Sequence, residues 1–185
     1  GHVFDLDLDV YAKQMETNFL APVALTKALL PRMIQQRAGR IIFVSSLLGR
    51  AALPMTSAYS ASKFALEGFG EALRYELLPI GLWVSLIEPG GFKTQIQVNR
   101  VYSHETPESP FFHQAKVLRA FFANLETKRR TPEPVVKAIA KALTETKPKL
   151  RYVVGKDARS LLSVRSLSPR LLERIFQKLV RTGTA

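Results

Sequence analysis

The sequence predicts an α/β protein built on a doubly wound parallel sheet. Two observations carry this. Ile41-Ile42-Phe43-Val44 and Leu82-Trp83-Val84-Ser85-Leu86-Ile87 are short apolar runs without the alternation of a half-exposed strand. Such runs suit central strands covered on both faces. Before and between them, apolar residues recur at helical spacing. The order is helix, strand, helix, strand with short connections, as in right-handed βαβ crossovers. Ligands of such sheets sit at the carboxyl ends of the strands. Ser45-Ser46 and Pro89-Gly90-Gly91 occupy those ends.

The elements follow in order. Asp9 is a plausible N-cap for a helix from Val10 to about Gln36, with Met15, Phe19, Val23, Leu30 and Met33 on its apolar face. Pro22 lacks an N–H and should bend this helix, leaving Asn18 one turn before the bend with free carbonyls and water nearby. Asn18 is equally readable as a residue that tolerates the kink. Ala38-Gly39 ends the helix, and Arg40–Ser46 is the first strand. Ser57 to about Leu78 is helical. Ala58, Ala61, Ala65, Gly68 and Ala72 form a small-residue stripe open to another helix, beside a bulkier stripe of Leu66, Phe69, Leu73 and Leu77. Leu82–Glu88 is the second strand.

Residues 92–110 lack a period and read as a lid or an irregular loop. Phe111 to about Leu125 is an aromatic-rich helix that can wall a lipophilic pocket or simply fill core. Thr131-Pro132 opens a helix to about Thr146, and Leu150–Gly155 is a short strand. Ser168-Pro169 opens a last helix with Leu172, Ile175, Phe176 and Leu179 on one face and Arg170, Arg174, Lys178 and Arg181 mostly on the other. That helix has three open uses: its own domain, a second subunit, or an anionic membrane.

Composition narrows the classes. The chain has 185 residues, 46% hydrophobic and 23% charged, which fits a globular domain with a sizeable core. No cysteine is present, which excludes disulfides and thiolate chemistry and leaves the compartment open. His2, His104 and His113 lack metal-ligand spacing, and no metal is expected. The net charge of +12 is uneven. Residues 1–110 carry ten charges of each sign; residues 111–185 carry 17 Lys/Arg against 5 Asp/Glu. A basic block of this kind is a solvated face or a surface for an anionic partner. The first residue is Gly1, so the lack of a signal peptide carries no information.

Tyr59 and Lys63 lie four residues apart at the start of the second helix, one turn apart on one face. A cation about 4 Å from a phenol, at an effective dielectric of ~20, is worth about 4 kcal/mol. That is enough to bring a phenol that titrates near ~10 toward neutral pH. The pair can make Tyr59 a proton donor or acceptor. On its own, Tyr-x-x-x-Lys also describes a half-buried tyrosine beside a solvated lysine.

Asn18, Ser46, Tyr59, Lys63 and Pro89-Gly90 together, on these elements and at these spacings, resemble the short-chain dehydrogenase/reductase family. Met15-Glu16-Thr17-Asn18-Phe19, Tyr59-Ser-Ala-Ser-Lys63-Phe-Ala-Leu-Glu-Gly68, Ile87–Thr94 and Leu150–Gly155 carry the likeness, which runs from about Phe4 to the C-terminal helix. The 17β-hydroxysteroid and retinol dehydrogenase-like branch is the most similar. The resemblance implies a Rossmann-type fold and hydride transfer between NAD or NADP and a lipophilic alcohol or ketone. Tyr59 would be the general acid/base, and Lys63 would lower its pKa and hold the ribose hydroxyls. Ser46 would bind the substrate oxygen, and Asn18 would hold a water that relays protons to Lys63. Pro89, Gly90, Phe92 and Thr94 would line the nicotinamide. The implied partner is a small molecule and not nucleic acid. A peripheral membrane contact through 169–185 and a homo-oligomer through helices 10–36 and 57–78 remain open. A cytoplasmic protein is the corresponding expectation, with membrane association left open.

One departure is large. Family members begin with a strand, a Gly-rich turn and an Asn-Asn-Ala-Gly segment, and none of these is in the sequence. The expectation is a C-terminal fragment lacking roughly 80–90 residues and about four strands. Residues 1–155 would then complete an NAD(P)-binding domain, with a substrate loop at about 92–130, and 156–185 would be a basic helical extension. Such a fragment would not bind cofactor alone. Two rival readings are a non-catalytic binding protein on the same scaffold and a sugar-nucleotide epimerase or dehydratase. The four-residue set argues against the first, and the short C-terminal region against the second.

Overall fold

The computed structural model describes residues 1–96, 106–127 and 129–181. Three parallel strands, β1 (Arg40–Val44), β2 (Trp83–Pro89) and β3 (Arg151–Val154), form one sheet in that order. Phe43 lies opposite Leu86, and Leu86 opposite Arg151. β2 is central and nearly all buried, as its continuous apolar run requires. β1 is an edge strand whose last residue, Val44, is 48% exposed.

The described residues form seven α-helices: α1 (Leu8–Met15), α2 (Ala21–Gln36), α3 (Ser57–Leu77), α4 (Phe112–Thr127), α5 (Glu133–Thr144), α6 (Lys156–Leu167) and α7 (Pro169–Arg181). The α3 face Leu66, Leu73 and Leu77 packs with Phe43, Val84 and Leu86. On the opposite face, Val135 and Ala142 of α5 pack with Ile87, Tyr152 and Val154. Alternate residues of β2 thus feed two separate cores, as a period of two dictates. The small stripe of α3 is largely unused within the chain. Ala61 and Ala72 are exposed, and nothing lies within 4 Å of where a Cβ on Gly68 would stand.

Several local expectations shift. The irregularity in the first long helix is a π turn at Glu16–Leu20, centred on Asn18, between α1 and α2. Pro22 cannot donate to the Asn18 carbonyl, and the Ala21 N–H bonds Glu16 one residue further back, so the ladder slips upstream of the proline. A second proline, Pro31, lies within α2. The N-cap of α1 is Asp7 and not Asp9, with no side-chain capping bond. At α5 the cap position is Pro132 and not Thr131. The basic extension consists of two helices, α6 and α7, joined at Ser168. The middle of the expected lid, residues 97–105, lies outside the described residues. No helix among the described residues is long and apolar enough to cross a membrane.

Candidate active site

Ser46 follows β1 in extended conformation and heads a 3-10 turn over Leu47–Gly49. Its Oγ accepts from the Leu48 N–H at 3.1 Å. That bond uses one lone pair and fixes the hydroxyl, whose own proton can still be donated. Gly49 lets this turn lie against α3. A Cβ there would stand 3.0 Å from the Lys63 carbonyl oxygen and 2.9 Å from Glu67 Cγ. Ser46 is thereby held beside the first two turns of α3, which carry Tyr59 and Lys63.

Lys63 Nζ lies 5.8 Å from the Tyr59 ring centroid. It donates to the Val44 carbonyl at 2.9 Å, which places it over the carboxyl end of β1. Burial pushes the Lys63 ammonium down to about 8, and Glu67 one turn on partly restores it. Asn18 reaches the same helix from the π turn. Its Nδ2 donates to Gln14 Oε1 at 2.9 Å and to Ser62 Oγ at 3.1 Å. Ser62 Oγ in turn donates to the Tyr59 carbonyl at 2.8 Å. Asn18 therefore meets α3 at the neighbour of Lys63, and Ser62 is a link that the sequence reading missed. Only its place between Tyr59 and Lys63 hinted at it.

Pro89 closes β2, and the chain turns through Gly90 and Gly91. The Phe92 side chain is buried with Ile87, Val135 and Val154, so its backbone is what it can present to a ligand. The Lys93 N–H donates to the Arg130 carbonyl at 2.8 Å, tying the turn to the segment before α5. Thr94 Oγ1 accepts a long 3.4 Å contact from the Ile96 N–H. Ser46 and Pro89-Gly90 thus stand at adjacent strand ends, and the α3 pair lies beside Ser46.

The profile of a family described as short chain dehydrogenase matches residues 1–104, more than half of the chain. The chain belongs to the short-chain dehydrogenase family. It is 35% identical over 169 residues to dehydrogenase/reductase SDR family member 7B of Xenopus tropicalis, covering 91% of this chain and 51% of that protein. It is 35% identical over 173 residues to the uncharacterized oxidoreductase YusZ of Bacillus subtilis, covering 91% of this chain and 62% of that protein. The crystal structure of a short-chain dehydrogenase from Streptomyces avermitilis superposes with a TM-score of 0.77 at 30% identity, over 98% of this chain and 65% of that one. The chain therefore spans about half to three-fifths of the length of these curated relatives.

Aromatic residues of the first turn gather on Phe111, just ahead of α4. His2 stacks on Phe111 at 3.7 Å between centroids, and Phe4 lies 5.8 Å from the same ring. The Gly1 amino group donates to the Met55 carbonyl at 3.1 Å. Met55 has φ 61, a left-handed conformation rare for a side chain of its size. The Tyr11 and Ser57 hydroxyls bond at 2.7 Å and fasten α1 to the start of α3.

Behind the site lies a charge network that the sequence reading also missed. Glu88, fully buried on β2, meets Arg50 Nη1 at 3.3 Å. Its other oxygen faces Arg151 Nε at 3.1 Å, without hydrogen-bond alignment. Arg151 also pairs with Glu67 at 3.0 Å and Glu71 at 2.9 Å. Burial pushes the Glu88 carboxyl up to about 6. The Glu67 charge adds to this, and the two guanidiniums oppose it. The available signal was one carboxylate inside an otherwise apolar strand, with an i, i+4 carboxylate pair on the facing helix.

Proposed function

We propose that the protein carrying this chain is an NAD(P)-dependent oxidoreductase that interconverts a lipophilic alcohol and its ketone or aldehyde. The carrying observation is the half-buried Tyr59–Lys63 pair beside the carboxyl end of β1, with Ser46 at its side. The residues present fit a nicotinamide: a glycine turn at one strand end, and a half-buried cation and a phenol at the next. When bound, the nicotinamide supplies or accepts the hydride. Tyr59 exchanges a proton with the substrate oxygen. Lys63 favours the phenolate by its charge and binds the ribose hydroxyls. Ser46 donates to the substrate oxygen as charge develops there. Asn18 steadies the Tyr59 turn through Ser62 and offers the π turn as a water site for proton exchange with Lys63. Pro89, Gly90, Thr94 and the Phe92 backbone flank the nicotinamide. Either NAD or NADP suits these residues. Dehydrogenases of this fold at 22% identity have been solved with NADP and with NADH.

A steroid- or retinoid-like substrate is supported by the His2–Phe4–Phe111 group and by the aromatic helix α4. The likeness to the 17β-hydroxysteroid and retinol dehydrogenase-like branch points the same way. Residues 1–155 are proposed as part of a cofactor domain, with its substrate loop at about 92–130. α7 is proposed as a peripheral contact with an anionic membrane. Leu172 is buried, whereas Leu171 and Ile175 are about half exposed beside the exposed Arg174 and Lys178. The open stripe of α3, with exposed Leu25 and Leu29 of α2, is proposed as a face for a second copy.

The test is Tyr59→Phe in the full-length protein. Turnover should fall by roughly 10²- to 10⁴-fold while nicotinamide affinity stays near that of wild type. Near-normal turnover removes the role of Tyr59. A wild-type protein that binds neither nicotinamide overturns the function.

A further inference from the structure

The turn after β2 is held by two bonds from one neighbouring segment. The Gly90 N–H donates to the Val154 carbonyl at 2.8 Å, which carries the β2–β3 ladder past the strand. The Gly91 N–H donates to Asp157 Oδ2 at 2.6 Å. Asp157 stands in the first turn of α6, immediately after β3, where the helix dipole favours a carboxylate. Glycines make room for it. A Cβ on Gly90 would lie 2.3 Å from Oδ2, and one on Gly155 would lie 2.4 Å from Oδ1. Gly155 also has φ 110, which side chains other than glycine rarely adopt. The carboxylate is exposed and belongs to neither apolar cluster, so packing does not account for it.

We propose that Asp157 is a positioning residue for the nicotinamide site, holding the Gly90-Gly91 turn in the conformation against which the cofactor docks. The proposal rests on the oxidoreductase reading above. Two successive glycines lose more conformational freedom on ordering than other residues. A turn that is already fixed spares the cofactor that loss on binding, and an unfixed one weakens affinity. The carboxylate reaches the amide from the head of α6, which packs against β3, so the turn is tied to the sheet through both the ladder and the helix.

The experiment compares Asp157→Ala and Asp157→Asn with wild type in the full-length protein. Three quantities are read: NADH and NADPH dissociation constants, steady-state KM and kcat, and hydrogen exchange at the Gly91 amide. Asp157→Ala removes a charge-assisted bond and should raise the cofactor Kd and KM by roughly 5- to 20-fold, with a smaller change in kcat. Its Gly91 amide should exchange faster. Asp157→Asn keeps an acceptor oxygen in place and should stay within about 3-fold of wild type in Kd, with Gly91 still protected. If wild type binds cofactor and Asp157→Ala binds it equally well, the positioning role is overturned and the oxidoreductase reading stands. Equal losses in both variants with a lowered Tm indicate a folding role only and also overturn it. A wild type that binds neither cofactor removes the oxidoreductase reading and this proposal with it.

Discussion

Lys63→Met separates what the lysine costs the fold from what it does for the site. The methionine keeps most of the apolar stem and removes the ammonium. In the folded protein burial holds that ammonium at about 8, against 10.5 in an unperturbed chain. At about 1.36 kcal/mol per tenfold, the upper bound on the cost of keeping Lys63 charged is roughly 3 kcal/mol. Lys63 is partly exposed and bonds a water-accessible carbonyl, so a realistic figure is about 1–2 kcal/mol. Little is lost in exchange. The Val44 carbonyl sits at an exposed strand end, and Glu67 keeps Arg151 as its partner.

The sign follows from proton binding. Between pH 8 and 10.5 the unfolded chain holds the Lys63 proton and the folded chain has released it, so wild-type stability rises with pH across that window. Below pH 8 both states are charged and the cost is at full size. Lys63→Met should therefore be more stable than wild type by about 1–2 kcal/mol at pH 7, with the gap closing toward pH 10.5. Urea denaturation at pH 7, 9 and 10.5 measures the gap. Turnover of the full-length variant should be lost over the same range. A variant less stable than wild type at pH 7, or a gap that does not change with pH, refutes the reasoning.

Two further outcomes follow from the same charges and surfaces. Glu88→Gln removes a carboxyl that the fold holds at about 6 instead of 4.5. Relative to the variant, whose glutamine does not titrate, wild-type stability should fall by about 2 kcal/mol as pH rises from 4.5 to 6, with Arg151 keeping Glu67 and Glu71 in both proteins. Parallel urea profiles for the two proteins at pH 4.5 and 7 would contradict this. Sedimentation tests both proposed surfaces. Anionic vesicles should pellet the protein only when residues 169–185 are present, and the protein without vesicles should run as two or more copies. Pelleting that ignores 169–185 dismisses the membrane contact, and a monomer dismisses the α2–α3 face.

The strands and the main helices were legible because their apolar runs are buried on both faces or along one stripe. Tyr59 and Lys63 were legible for a related reason: a spacing of four on a helix fixes relative position without tertiary information. The π turn was half legible. Pro22 announces a broken ladder, but whether the slip falls before or after the proline depends on Asn18 finding Ser62 across the helix interface. The Glu88–Arg151–Glu67 network and the Asp157 bond were not legible. Each joins residues more than 60 positions apart, and only the β2–β3 register and the packing of α3 and α6 on the sheet bring them together.

The costly features of this chain gather in one place. Lys63 is held charged against burial, and Glu88 is buried behind it. Met55 occupies a left-handed turn leading into α3, and the helix around Asn18 gives up its regular ladder. An apolar residue at 63 or a glycine at 55 would serve the fold as well or better. A fold shaped only by stability would scatter such features or lose them. Here they lie on β1, β2 and α3 or on segments packed against them, close to the strand ends where the Tyr59 phenol and the Gly90-Gly91 turn stand. That clustering supports the proposed site, because a site needs charge and fixed backbone where a core needs neither. It also weighs against a retired scaffold, in which loss of the buried Lys63 charge would raise stability and would meet no resistance.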